Sequence, residues 1–121
     1  MPRAVLDESR IHTAARDKVA RHQAAIVAEV QHAIAEHALV VVGMKINPHP
    51  KRALRALQQA GLACHYLEYG SYFSDWRRRT ALKMWTGWPT FPMVFVRGTL
   101  VGGANELSRL IDSGELKQLL A

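Results

Sequence analysis

The chain has 121 residues, of which 49% are hydrophobic and 21% charged, a composition that is typical of one folded domain and excludes a disordered chain. No apolar run approaches the roughly 18 residues that cross a bilayer, and Asp7, Glu8 and Arg10 interrupt any secretory signal, so we expect a cytoplasmic protein without a membrane partner. The formal net charge of +6 is compatible with an acidic partner, a nucleic acid or a small anionic ligand. The densest basic cluster, W-R-R-R at 76–79, is more typical of a solvated helix face, which disfavours nucleic acid.

Residues 4 to 37 are rich in alanine and contain no proline, which predicts helix throughout this segment. From Ala24 onward, apolar residues recur at spacings of three and four, as in an amphipathic helix that packs on a sheet. These residues are Ile26, Val27, Val30, Ala33 and Ile34. The preceding part is more polar and predicts a separate helix or an arm that reaches a partner. We therefore divide the chain into an N-terminal helical extension, residues 1–23, and one domain, residues 24–121.

The next segments predict a strand, a helix and a second strand. The continuous β-branched run at 38–45 is typical of a strand covered on both faces. A helix follows through about Gln59, and Gly61 is expected to end it. Residues 62–68 then form the second strand. A strand–helix–strand unit of this length implies parallel pairing with a right-handed connection.

The second half of the chain predicts a loop at 69–75, a helix that begins at Trp76, and a hairpin of two apolar strands around Arg97-Gly98. Segments 105–111 and 114–120 predict one or two short helices. Taken together, the elements predict an α/β fold of thioredoxin type, in which helices flank a four-stranded mixed sheet.

Several motifs resemble those of the glutaredoxins. The segment W-P-T-F-P-M-V-F-V-R-G-T-L-V-G-G-A-N-E-L, residues 88–107, is similar to that family's T-[VIF]-P, hairpin and G-G signature. The Met44-Lys45 pair, the Trp88-Pro89 pair and the tail at 113–120 resemble the subgroup with a single active-site cysteine. The resemblance covers residues 24–121 and implies the glutaredoxin version of the thioredoxin fold.

The chain departs from the family where the reactive group is expected. Members carry C-P-Y-C or C-G-F-S at the start of the first crossover helix, and N-P-H-P stands there in this sequence, so that Asn47, Pro48, His49 and Pro50 form a degenerate site. Thiol exchange requires sulfur, and an asparagine amide does not attack disulfides. Asn47 is instead a good helix N-cap, and Pro48 suits the first helical position. Pro50 removes a backbone donor that could bind an anion.

The same substitution predicts no iron–sulfur cluster. The single-cysteine subgroup holds a [2Fe–2S] cluster between two subunits, with one active-site cysteine and one glutathione thiol from each. Without the cysteine half of the sulfur ligands are missing, and asparagine is a poor ligand for iron in such a cluster.

The remaining cysteine and histidines do not predict a second reactive centre. Cys64 is the only cysteine, which excludes an internal disulfide, and its place in the predicted second strand indicates a core residue with a raised pKa. His49 is expected on an exposed turn. His32 and His37 are five residues apart, on different helix faces, and predict no metal site.

The resemblance also implies a groove for glutathione. Lys45 and Arg79 would pair with carboxylates of the tripeptide, and Arg79 is suited to bidentate binding. The strand edge, with a cis peptide bond at its proline, would pair with the backbone of glutathione. The start of the helix after the hairpin would receive the γ-glutamyl carboxylate. These positions are Thr90, Phe91, Pro92, Gly103, Ala104 and Asn105. Asn105 lacks the acidic side chain often found there. The cis-proline and the glycine pair would be expected for the fold alone, even without a ligand. Lys45 and Arg79 have little structural reason to match the family, so they are the better evidence for a glutathione groove.

Three functions are compatible with these features. The favoured one is a non-catalytic module that binds glutathione, a peptide strand or a partner protein. The first alternative is a glutathione-linked thiol–disulfide oxidoreductase that uses Cys64 or another protein's thiol. The second is a basic adaptor whose N-terminal helix docks a partner or nucleic acid.

Overall fold

The central strand of the fold is β1 (Leu39–Gly43), in which every residue is buried. The computed structural model describes residues 3–45, 47–70 and 75–121. The other strands within these ranges are β2 (His65–Glu68), β3 (Met93–Val96) and β4 (Thr99–Gly102). The α-helices are α1 (Thr13–Arg21), α2 (Ala24–Glu36), α3 (Pro48–Gln59), α4 (Trp76–Thr86), α5 (Ala104–Asp112) and α6 (Glu115–Leu120).

The four strands form one mixed sheet in the order β2-β1-β3-β4, which confirms the predicted architecture. Strand β1 runs parallel to β2, with Val40 opposite His65, and antiparallel to β3. Strands β3 and β4 form the predicted hairpin, and its turn residues Arg97 (φ 49°) and Gly98 (φ 81°) are both left-handed. Two left-handed residues are the signature of a type I′ turn, whose twist matches that of the strands.

Helices cover both faces of the sheet, which explains the unbroken apolar run of β1. Val40 and Val42 point toward α2 and α4, where they join a core that includes Ile26, Leu82 and Phe95. Leu39 and Val41 point the other way, into a core formed with α3, α5 and α6. Alternate residues of a strand face opposite sides, so a strand between two helical layers needs apolar residues at every position.

The N-terminal segment is less helical than predicted. It contains a 3-10 turn at Glu8–Arg10, and α1 begins only at Thr13. The Asp7 carboxylate accepts a hydrogen bond from the Ser9 N–H (2.8 Å), and His12 Nδ1 accepts one from the Ala14 N–H (3.2 Å). Such local bonds compete with helical ones and interrupt the helix. The break between α1 and α2 lies near residue 23, while the division into an extension and a domain remains a prediction.

Both parallel strands are shorter than predicted, covering 39–43 and 65–68 instead of 38–45 and 62–68. The second strand begins late because the exit of α3 occupies the residues before it. Gly61 is left-handed (φ 73°), and the Leu62 N–H donates to the Leu57 carbonyl (2.9 Å), so Gly61 ends the helix as expected. Cys64 therefore precedes β2, and the prediction that placed it within the strand is wrong. The predicted loop at 69–75 lies partly outside the described residues.

Two helices end the chain, as the sequence allowed, separated by a left-handed Gly114 (φ 79°). In the described ranges, no helix has both the length and the apolar character needed to span a membrane.

Candidate functional site

The start of α3 holds the turn predicted to replace the reactive site. Asn47 is only 7% exposed, and its Oδ1 accepts a hydrogen bond from the His49 backbone N–H at 2.9 Å. Its backbone is extended (φ −108°) and Pro48 begins the helix, which confirms the predicted N-cap and first helical position. The one polar amide at this turn is therefore engaged in starting α3.

The rest of the turn offers packing and one imidazole. Pro50 is buried against the end of β1, where a Cβ built on Gly43 would lie 2.8 Å from the Pro50 Cβ. Only glycine fits at position 43 while Pro50 keeps this place. His49 is exposed, as expected. An amide, two prolines and an imidazole provide no thiolate to attack a disulfide.

A shallow groove of about 200 Å³ lies beside this turn, between α3, the segment before β3 and the start of α5. Six of the predicted glutathione-binding residues lie together along it, and the Phe91–Pro92 peptide bond is cis, as the resemblance implied. The lining residues are His49, Arg52, Trp88, Thr90, Phe91, Pro92, Gly103, Ala104, Asn105 and Glu106.

The end of the groove at α5 is rich in hydrogen-bond donors. Gly103 is the N-cap of α5, and its N–H donates to Glu106 Oε1 (3.4 Å), while its carbonyl accepts from the Leu107 N–H. The first N–H groups of a helix have no acceptor within the helix, and they carry the positive end of its dipole. Arg52, which sequence reasoning missed, reaches across from α3 and donates from Nη2 to Asn105 Oδ1 at 2.9 Å. This end therefore suits an anionic group.

Trp88, like Arg52, was not among the predicted groove residues, and the sequence showed it only as part of the Trp88-Pro89 pair. Its indole Nε1 is buried and has no hydrogen-bond partner within the described part of the chain. The same edge of the ring lies close to Gly103, since a Cβ built there would be 3.5 Å from Nε1 and 3.6 Å from Cζ2. An unpaired buried donor therefore faces the N-cap of α5.

The two predicted cations, Lys45 and Arg79, lie elsewhere. Neither lines the groove, and both contact the segment Tyr69–Gly70. The Lys45 N–H donates to the Gly70 carbonyl (2.6 Å), and its side chain is exposed. Arg79 is 7% exposed, and its Nη1 donates to the Tyr69 carbonyl (3.2 Å). The expectation that Arg79 has little structural role is therefore wrong, because its guanidinium holds the chain that follows β2.

Cys64 belongs to a different part of the molecule. It is half-buried rather than fully in the core, and it packs with side chains of the α3, α5 and α6 layer. Burial raises the pKa of its thiol, as predicted. It borders a separate depression with His37, His65 and Leu120, and shares no lining residue with the groove.

Three histidines take part in local ring or ion-pair contacts. The rings of His37 and His65 stack with centroids 4.2 Å apart, and His32 Nε2 lies 3.2 Å from Glu36 Oε1. Over the ranges described above, no group of three or more metal-binding side chains is arranged around a common point.

The sheet order and the helices on both of its faces define a protein of the thioredoxin fold. No protein-family model matches the chain. It is 45% identical over 91 residues to "Glutaredoxin-like protein" of Dictyostelium discoideum, a match that covers 75% of this chain and 74% of that protein. The chain belongs to the glutaredoxin family.

Other comparisons agree with this placement. The chain is 34% identical over 97 residues to monothiol glutaredoxin-S11 of Oryza sativa subsp. japonica, covering 74% of this chain but only 19% of that longer protein. Oxidized glutaredoxin 2 from Chlamydomonas reinhardtii superposes with a TM-score of 0.69 at 28% identity, over 81% of this chain and 92% of that one. The buckwheat glutaredoxin–glutathione complex superposes with a TM-score of 0.69 at 22% identity, over 82% and 90%, a likeness in fold alone.

Proposed function

We propose that this glutaredoxin-family chain binds glutathione in the groove beside α3 without performing thiol–disulfide exchange. The observation that carries the proposal is the state of Asn47. The family resemblance aligns Asn47 with the nucleophile. In the structure it is nearly buried, and its side chain caps α3. Exchange begins with attack by a thiolate, and no thiol lies along the groove.

Binding does not need the nucleophile. A strand edge beside the cis Phe91–Pro92 bond presents backbone groups for the tripeptide, and the first turn of α5 presents N–H donors for a carboxylate. Lys45 is not one of the lining residues, but it is exposed just after the C-terminal end of β1, which pairs with the start of β3. We propose that its flexible side chain meets the second carboxylate, while Arg79 holds the Tyr69 carbonyl nearby. The solved complex of the buckwheat protein with glutathione supports this choice of ligand.

The same chemistry argues against an iron–sulfur cluster on this chain. Asn47, which the family resemblance aligns with the cysteine, offers iron an amide oxygen that already accepts the His49 N–H. Iron in such clusters prefers thiolates, and the one thiol, Cys64, is half-buried in another part of the fold. We therefore propose glutathione as a ligand and no cluster as a cofactor.

The oxidoreductase alternative depends on Cys64. Its raised pKa keeps the thiol protonated at neutral pH, and a protonated thiol is a weak nucleophile. An adaptor role for residues 1–23, with a protein or nucleic acid as partner, remains a prediction from the net charge and the exposed α1. The cytoplasmic location likewise remains a prediction from the sequence.

Isothermal titration calorimetry with reduced glutathione tests the binding. We expect saturable binding to the wild type, weakened roughly twofold to fivefold by Lys45→Ala, because an exposed ion pair contributes up to about 1 kcal/mol. Lys51→Ala is the matched control, since Lys51 is an equally exposed lysine that lies on α3 and not at the end of β1. No heat of binding at millimolar glutathione would refute the proposal.

A turnover assay tests the missing chemistry. With a glutathione mixed disulfide as substrate, we expect no release of glutathione above the uncatalysed rate. Turnover by the wild type that disappears in Cys64→Ser would establish the oxidoreductase alternative instead.

A further inference from the structure

A cavity of about 610 Å³ lies between the N-terminal segment and one helical layer of the fold. Helices α2 and α4 contribute one part of its lining, and Glu8, the end of α1 and His22 contribute the rest. Most of the lining side chains are apolar, and none of them lines the groove beside α3. Small-molecule sites in proteins are usually cavities of about 300–1,000 Å³ with an apolar lining and a few polar groups. This cavity has that form.

Helix α1 contributes to the cavity without packing into the core. It has 9 residues, none of which is buried. Its Val19, which is 52% exposed, and its Ala20 both line the cavity. A helix this short is marginal in water by itself, and helices in proteins gain most of their stability by burying an apolar face. An apolar molecule in the cavity would give α1 a surface to pack against.

The segment before α1 passes the end of α4 and brings a carboxylate to the cavity. The Arg3 guanidinium lies beside Gly87, where a Cβ would be 2.8 Å from its Cζ. Farther along the same segment, Glu8 lines the cavity. With histidine neutral, Glu8 is the one charged residue of the lining, and within the described ranges its carboxylate makes no ion pair.

The polar side chains of the lining can all accept hydrogen bonds. A carboxylate such as that of Glu8 only accepts, a neutral imidazole such as that of His22 has one acceptor nitrogen, and the amide of Gln31 has an acceptor oxygen. Among the described residues, none of these three side chains is hydrogen-bonded to another protein group. A protonated amine only donates and carries the charge opposite to that of Glu8, whereas the carboxylate would repel an anion.

We propose that this cavity binds a small amphiphilic amine, whose ammonium group pairs with Glu8 and whose apolar body packs on Val27, Ala28, Met84 and Trp85. The net charge of +6 opposes a cation at long range. At physiological salt, however, such interactions are largely screened beyond about 8 Å, so the contact with Glu8 decides the preference. The site is separate from the proposed glutathione groove and does not depend on it.

Three probes with the same apolar body test this choice of ligand: 4-phenylbutylamine, 4-phenylbutanol and 4-phenylbutyrate. In nuclear magnetic resonance titrations of ¹⁵N-labelled wild type, we expect saturable binding of the amine. The alcohol should bind roughly twofold to fivefold more weakly, as for loss of an exposed ion pair, and the carboxylate more weakly still. The Trp85 indole resonance should move while that of Trp88, in the other groove, stays in place. The amides of α1 should exchange more slowly with water when the amine is bound.

Three variants separate the charge from the cavity. Glu8→Gln should reduce the affinity for the amine to that for the alcohol. Ala28→Leu should fill part of the cavity and weaken the binding of all three probes. Ala25→Leu is the matched control, because Ala25 is also exposed on α2 but does not line the cavity, and it should leave the binding unchanged.

The wild-type titrations decide the proposal even if a variant fails to fold. No saturable binding of the amine, or binding of the carboxylate at least as tight as that of the amine, overturns it. Equal effects of Ala28→Leu and Ala25→Leu in folded protein also overturn it, since the probe would then lie outside the cavity.

Discussion

The replacement Asn47→Ala tests whether this position now serves the helix rather than a reaction. The change removes the acceptor at 2.9 Å from the His49 N–H and leaves that donor unpaired at a site where Asn47 is only 7% exposed. Loss of an N-cap costs about 0.5–2 kcal/mol, and the burial of this cap places the expected loss in the upper half, about 1–2 kcal/mol. For a domain of this size, that loss lowers the unfolding midpoint by about 4–8 °C.

The assay is chemical denaturation followed by circular dichroism at fixed pH, with three variants beside Asn47→Ala. Asn47→Asp and Asn47→Ser keep a capping acceptor and should remain within about 0.5 kcal/mol of the wild type. His12→Ala removes the N-cap of α1, whose residues are not buried, and should cost less than about 0.5 kcal/mol.

The reasoning would be refuted if Asn47→Ala were no more destabilising than His12→Ala, or if Asn47→Asp were as destabilising as Asn47→Ala. Either result would mean that the Asn47 side chain does not support the start of α3.

Three further predictions concern the site and its surroundings. Asn47→Cys combined with Pro50→Ser places a thiol and a free backbone N–H at the start of α3. The pKa of this thiol, measured by thiolate absorbance, should lie below the usual value of about 8.5. A thiol that titrates at the usual value would contradict this prediction. Arg52→Ala should weaken glutathione binding roughly twofold to fivefold by calorimetry, whereas Arg55→Ala, on the same helix outside the groove, should not; equal effects count against a local role. Burial and a hydrogen bond to a carboxylate on α2 raise the pKa of Tyr69 above its ordinary value of 10. The folded state thus favours the neutral phenol, and stability that is full below pH 10 should fall as pH rises through the raised value, less steeply in Tyr69→Phe. Matching alkaline slopes in unfolding curves would contradict this reading.

Local signals predicted local features well. Asn47 followed by Pro48 identified the start of α3, and Arg97-Gly98 identified the hairpin turn, because both depend on the backbone preferences of adjacent residues. The unbroken apolar run of β1 predicted a strand between two helical layers because alternate residues of a strand face opposite sides, and both sides are covered. The fold was therefore largely predictable, with errors where polar side chains such as His12 interrupt a helix.

The missed features of the site depend on contacts between distant segments. Arg52 meets Asn105 across 53 positions of sequence, and the unpaired N–H of Trp88 becomes visible only once Gly103 is packed against it. Arg79 looked like a surface cation in the W-R-R-R run, yet it lies buried on the Tyr69 carbonyl. No pattern along the chain records which of several neighbouring arginines points inward.

The two ends of the groove differ in how many hydrogen-bonding groups they leave available to a ligand. At α3, the side chain of Asn47 is engaged by the cap and Pro50 is packed against Gly43, so neither residue is left to bind a ligand or to react. At α5, first-turn N–H groups have no acceptor within the helix and remain available to a ligand. Binding free energy should therefore be concentrated at the α5 end. It follows that a thiol installed at position 47 gains reactivity only by giving up the cap, so restored chemistry and lost stability should appear in the same variant.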